Sequence, residues 1–156
     1  MSQIDVLTLF NSLSTFGATV TGVKNSYAIS AVPDKLSEPQ IPALIIYPGV
    51  ARGDLFHFQT FMAGAPHMVF SVVHQLYYAP SDSTKYRSIM PGLFAVLMDY
   101  VRKAQAQGFL DTRDTSDGSK AWQVPMNFTP TLGPAFPFAD VNYHGIQFTY
   151  NFDIQL

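Results

Sequence analysis

Polar and apolar residues alternate most cleanly at the end of the chain. Ile146, Phe148, Tyr150, Phe152 and Ile154 are interleaved with Gln147, Thr149, Asn151, Asp153 and Gln155. A period of two predicts a strand with one packed face and one polar face. Burying those five side chains contributes on the order of 10 kcal/mol by area, an upper bound for a compact unfolded state.

Two other runs read as strands of different kinds. Ile41 to Tyr47 (IPALIIY) is apolar throughout and ends at Pro48-Gly49, which predicts a central strand buried on both faces. His67 to Tyr78 (HMVFSVVHQLYY) is long enough to span a sheet, with Met68, Phe70, Val72, His74, Leu76 and Tyr78 on one face. Leu55 to Phe61 precedes it as the other arm of a hairpin, turning at Ala63-Gly64-Ala65-Pro66.

Helical spacing appears twice. Ile4, Val6, Leu7, Leu9, Phe10, Leu13 and Phe16 make one broad apolar face between Ser2, a cap, and Gly17, placed to stop the helix. Tyr86 to Gln107 carries a stripe of Ile89, Leu93, Val96, Leu97, Tyr100, Val101 and Ala104. Pro91 costs little there if Ser88 is the cap, and otherwise kinks the helix. Arg102 and Lys103 suit its C-terminal end, and Gly108 closes it.

The remainder is punctuation. Short strands are expected around Val20 to Ile29, and Pro33, Pro39 and Pro42 make 32–42 an extended connection. Asp111 to Ser119 is a polar loop. Ala121 to Phe128 is expected to be a strand whose Pro125 marks an edge or a bulge. Thr129 to Phe138 (TPTLGPAFPF) reads as a Pro/Gly-rich loop with exposed aromatics. The order predicts an α+β fold: a mixed, mostly antiparallel sheet flanked by two helices, in one domain spanning 1–156.

Composition narrows the function. Charged residues make up 13% of the 156 against 47% hydrophobic, so much of the surface is neutral or apolar and is best tolerated against partner subunits. The nine basic residues are scattered and the net charge is −2, which argues against specific nucleic-acid binding. No apolar run approaches the ~20 residues of a membrane-spanning helix, and no signal peptide is evident. The chain contains no cysteine, which removes disulfides, thiol catalysis and thiolate metal sites.

Candidate chemistry is sparse. His57 and His67 form the one plausible histidine pair, facing across the hairpin, and packing accounts for it better than metal does. His74 reads as a satisfied core or interface histidine. Asp111, Asp114 and Asp117 lack calcium-loop spacing, and no nucleophile elbow or phosphate-binding glycine motif occurs. No catalytic, metal or cofactor residue is therefore expected, and the chain is not read as an enzyme. Phe136, Phe138 and Tyr143 break the strand and helix patterns and are candidates for contact with another subunit.

Several segments resemble the tail terminator (tail completion) proteins of long-tailed bacteriophages. They are an N-terminal helix, a Pro-bearing connection into Ile41-Pro42-Ala43-Leu44-Ile45-Ile46-Tyr47-Pro48-Gly49, a hairpin, a helix with Met90-Pro91-Gly92-Leu93 to Asp99-Tyr100, and a last strand after Tyr143-His144-Gly145. The resemblance is one of layout over most of the chain. It implies a homo-oligomeric ring, commonly a hexamer, that caps the tail tube and offers the head-attachment surface. The implied partners are the tail tube protein and a head–tail connector or stopper protein, with DNA passing through the lumen without specific binding. The implied location is the virion tail or neck, after assembly in the host cytoplasm. On this reading the hairpin tip from Phe61 and Met62 to His67, the loop bearing Phe136 and Phe138, and the pair Arg52 and Asp54 would meet neighbouring subunits. A head–tail joining or stopper protein of the neck is the near alternative. A small-ligand or carbohydrate-binding module using Trp122 and Tyr77/Tyr78 is the alternative from another class.

Overall fold

A computed structural model of the chain describes residues 6–48, 59–61, 67–107 and 128–155. Helix α1 (Val6–Ala18) buries Leu9, Phe10, Leu13 and Phe16, the predicted apolar face, and leaves Leu7 outside. Gly17 does not stop this helix but lies within it. A Cβ there would collide with Ser26 Oγ and come within 2.9 Å of His74 Cε1 and Leu44 Cδ1. The residue is small because the helix presses on the sheet. The left-handed glycine is Gly22, at φ 91°, in the turn that leads out of α1.

The turn delivers the chain to β1 (Asn25–Tyr27), which pairs in parallel with β2 (Ala43–Pro48). Parallel neighbours cannot be joined by a tight turn. The crossover here is the proline-bearing segment 28–42, with short 3-10 turns at Ile29–Ala31 and Glu38–Gln40. Ser37 and Gln40 close the second of these as a capping box. Short β3 (Gln59–Phe61) pairs with the start of β4 (His67–Pro80), as the hairpin pattern predicts, and the rest of the expected arm, 55–58, lies outside the described residues. Helix α2 (Tyr86–Gln107) has the predicted bounds. It begins before Ser88, whose N–H and hydroxyl both donate to the Lys85 carbonyl. Pro91 therefore lies beyond the first turn and removes one interior hydrogen bond, on the exposed side of the helix.

The predicted loop at 129–138 is a strand. β5 (Phe128–Phe138) pairs antiparallel with β6 (Val141–Gln155), the long terminal strand anticipated from its alternation. A two-residue turn joins them, with Ala139 at φ 47° and Asp140 at φ 66°, the left-handed pair that suits strand twist in a hairpin. The prolines suggested a loop because they interrupt a ladder, but an edge strand tolerates them on its outer side. The sheet order is β1-β2-β4-β6-β5, with β3 beside β4. All pairs except β1–β2 are antiparallel. The fold is α+β.

Both helices lie on the same face of the sheet. There Leu44 and Ile46 of β2, Phe70, Val72 and Leu76 of β4, and Ile146, Phe148 and Tyr150 of β6 meet α1 and α2 in one core. The crossover covers part of the opposite face, whose polar residues on β5 and β6, such as Thr129, Thr131 and Asn151, are exposed. Ile41, Ala43, Ile45, Tyr77, Phe138 and Tyr143 form a second cluster there, with Val32 and Leu36 packed on it. β2 is therefore buried on both faces, as its unbroken apolar run predicts.

Candidate assembly surfaces

The aromatics proposed for subunit contact have distinct fates. In the pairing of β5 with β6, Leu132 stands opposite Ile146, but after an irregularity Phe136 stands opposite Tyr143 and Phe138 opposite Val141. The bulge carries β5 from the helix-covered face to the other one: Leu132 packs on the first core, and Phe136 and Phe138 on the second. Phe138 and Tyr143 are thus buried, each ring within 5.5 Å of the Tyr77 ring centroid, and Phe136 is half-buried. The expectation that these side chains are exposed for a partner is corrected for Phe138 and Tyr143. Phe138 looked irregular because a bulge reset the alternation of β5, and Tyr143 because it lies on the face of β6 opposite its apolar row. Phe61 and His67 face each other as the last β3–β4 pair. Arg52, Asp54 and Met62 lie outside the described residues, as do His57, Asp111 to Ser119 and Trp122.

The second cluster is tied by hydroxyls. Tyr77 Oη donates to the Pro137 carbonyl at 3.4 Å, so the 2.9 Å contact between Tyr47 and Tyr77 has Tyr47 as donor. Tyr77 is fully buried, which removes it from a ligand-facing role.

Under the helices runs a buried polar chain. His74 Nδ1 lies 2.7 Å from Tyr100 Oη, which lies 2.5 Å from Tyr150 Oη. Tyr100 stacks on Phe148 at 3.7 Å between ring centroids and takes Phe16 edge-on at 5.0 Å. His74 Nε2 is buried without a hydrogen-bond partner. A bare acceptor costs less there than an orphaned N–H, so the proton belongs on Nδ1, donating to Tyr100, which donates to Tyr150. Burial pushes the His74 pKa from 6.5 down to about 3 and raises those of both tyrosines. Neutral, inaccessible and locked in a stack, this trio holds the core together and has no route to a substrate. His74 is a core histidine satisfied at one of its two ring nitrogens.

Helix α2 is clamped to the turn after α1 through Asp99. The Thr21 N–H donates to Asp99 Oδ2 at 2.8 Å, Lys103 Nζ approaches the same oxygen at 3.0 Å, and Arg102 bonds the other. Lys103 also donates to the Thr19 carbonyl. The Thr21 N–H first, and then the Lys103 and Arg102 cations, hold the carboxyl well below the usual carboxylate range. The helix-end role expected of Arg102 and Lys103 is thus taken over by a specific tertiary contact. Beside the clamp is an open cleft of about 540 Å³ whose lining includes Thr21, Tyr78, Val96, Asp99 and Arg102. Both Asp99 oxygens are already engaged within the clamp.

The outer face of α2 carries a row that the buried stripe does not include. Arg87, Pro91, Phe94, Met98 and Arg102 are exposed at intervals of three and four, so they form a second row opposite the buried one. Phe94 is 43% and Met98 66% exposed. The signal was present as two large apolar residues on the wrong side of the helical wheel. Among the described residues no cluster of three His, Asp or Glu side chains could hold a metal ion, and no helix is long and apolar enough to cross a membrane. Beyond this geometry, the chain matches no protein-family model and no curated protein.

Proposed function

We propose that this chain is a structural virion protein that acts as a tail terminator. Copies would form a closed ring on the end of the tail tube and offer the surface to which the head attaches. The observation that carries the reading is the outward row Pro91-Phe94-Met98 on α2, in a chain with only 13% charged residues. Apolar groups arranged contiguously at a surface gain most when another surface covers them. The order of elements supports the same reading. A helix precedes the apolar β2, a hairpin leads to the Met90-Pro91-Gly92-Leu93 helix, and β6 follows Tyr143-His144-Gly145.

The interior chemistry is in keeping with an assembly role. The His74–Tyr100–Tyr150 chain is sealed, and the Asp99 carboxylate is consumed by the α2 clamp. A ligand-binding module is less well supported, because Tyr77 is buried and Tyr78 lines only an open cleft.

Negative-stain imaging of the purified protein, alone and mixed with isolated tail tubes, tests the proposal. Rings with a central hole that seat on tube ends are expected. Binding to filled heads and not to tubes would reassign the chain as a stopper of the neck. A monomer under every condition, with and without tubes, would end the assembly reading.

A further inference from the structure

Two exposed surfaces lie on opposite sides of the sheet and differ in character. On the helix side, α2 presents Phe94 and Met98, one helical turn apart, between Arg87 and Arg102. On the other side, the crossover presents Asp34 and Glu38, with Lys35 between them in sequence, Pro39 exposed and Leu36 half-buried. Glu38 is the only glutamate in the chain. The first surface is an apolar strip with cationic ends. The second combines two carboxylates, a single cation and small apolar relief. Arg87 makes no ion pair among the described residues, whereas Arg102 is already held by Asp99.

We infer that the outer face of α2 docks on the crossover segment of a second copy of this chain, with Phe94 and Met98 as apolar anchors and Arg87 facing the Asp34–Glu38 carboxylates. The inference rests on the self-assembly reading above and names the surfaces that reading leaves open. Docking two α2 faces would offer Arg87 no free carboxylate, because Asp99 is already engaged, and docking two crossovers would set four carboxylates against two lysines. Pairing the unlike faces removes both disadvantages. Because the two surfaces belong to different sides of the subunit, a pair joined by one contact keeps one free face of each kind, an α2 face on one copy and a crossover on the other. Such heterologous contact repeats head to tail until it closes as a ring or continues as a filament. Apolar anchors supply affinity, and the charges set which face meets which.

The test uses three variants of the full chain, followed by sedimentation velocity over a concentration series. Phe94→Ala/Met98→Ala should weaken self-association by at least about tenfold. Arg87→Glu alone, and Asp34→Arg/Glu38→Arg alone, should each weaken it as well, and more at low salt than at high. Mixing the two charge-reversed proteins in equal amounts should restore association, because the reversed α2 face of one then meets the reversed crossover of the other. All substituted side chains are exposed, so thermal midpoints should stay near that of the unsubstituted protein. If a reversed variant fails to fold, Arg87→Gln and Glu38→Gln give the same order of effects at smaller size. Association unchanged in the apolar or charge variants overturns the inference while leaving ring formation standing. So does sensitivity to Arg87→Glu with none to Asp34→Arg/Glu38→Arg, which would mark α2-to-α2 contact. An unsubstituted protein that never associates, with tail tubes or without, overturns the inference and the proposed function together.

Discussion

The two faces of the sheet are covered by different means. One carries two regular helices over a core that includes Leu13, Leu44, Leu76, Leu93 and Phe148. The other carries an irregular crossover with three prolines, over Ile41, Ala43, Ile45 and a cluster of tyrosine and phenylalanine rings. A helix brings a row of long side chains and keeps its own backbone satisfied. An irregular segment cannot do that alone, so the second face depends on aromatic bulk, a capping box and tyrosine hydroxyls to finish its polar groups. The more regular layer should be the less forgiving one, because rigid elements collapse poorly into a void.

Leu44 and Ile45 put that contrast to its strongest test. They are successive residues of β2, both fully buried, one under each layer. Leu44→Ala should cost about 4 kcal/mol and Ile45→Ala about 3 kcal/mol, within the range for such truncations, as read by denaturant unfolding. Equal losses, or the reverse order, would break the proposed difference between the layers.

Acid should act through the helix-covered face. His74 has a folded pKa of about 3 against 6.5 in the unfolded chain. Above pH 6.5 neither state holds the extra proton and the contribution of this group is complete. As the pH falls below 6.5 the unfolded chain takes up the proton first, so stability is lost down to about pH 3. The slope is roughly 1.4 kcal/mol per pH unit, or about 2 kcal/mol lost by pH 5. His74→Gln should remove this part of the pH dependence, whatever it does to stability at neutral pH. A variant with the same acid slope would show that other groups carry it.

Two smaller changes sharpen the comparison. Asp99→Asn keeps the shape of the α2 clamp but removes its charge, and should cost about 2 kcal/mol, seen as a lower midpoint in urea. Tyr47→Phe removes the hydroxyl that donates to Tyr77 on the crossover side, and should cost about 1 kcal/mol. If the tyrosine change proved the more harmful, the second face would depend on hydrogen bonding more than on ring burial.

Much of this architecture is legible in the order of residues. Local periodicity is a property of consecutive side chains, so the bounds of α2, the double burial of β2 and the run of β6 can be read directly. Other features require contacts between distant segments. The bulge in β5 is visible only in its pairing with β6, so Phe138 looked like an exposed loop aromatic when it is a core residue, and Tyr143 is buried only because the second cluster packs on its face of β6. Gly17 looked like a helix stop, but its smallness serves Ser26, Leu44 and His74 across the interface. The outward row of α2 is masked in the sequence by the longer apolar stripe on the opposite side of the same helix.

By itself, then, the sequence determined most of the elements, though not β5, together with the α+β class and which strand lies deepest, because those follow from spacing and hydropathy along a few turns or pleats. Tertiary structure alone decided that both helices share one face and that a proline-bearing crossover packs on part of the other. It also decided that Asp99 and His74 are spent on packing, and that Phe94 and Met98 remain outside. Whether a side chain is used inside the molecule or left for another depends on which distant segments reach it, and neighbouring residues do not encode that.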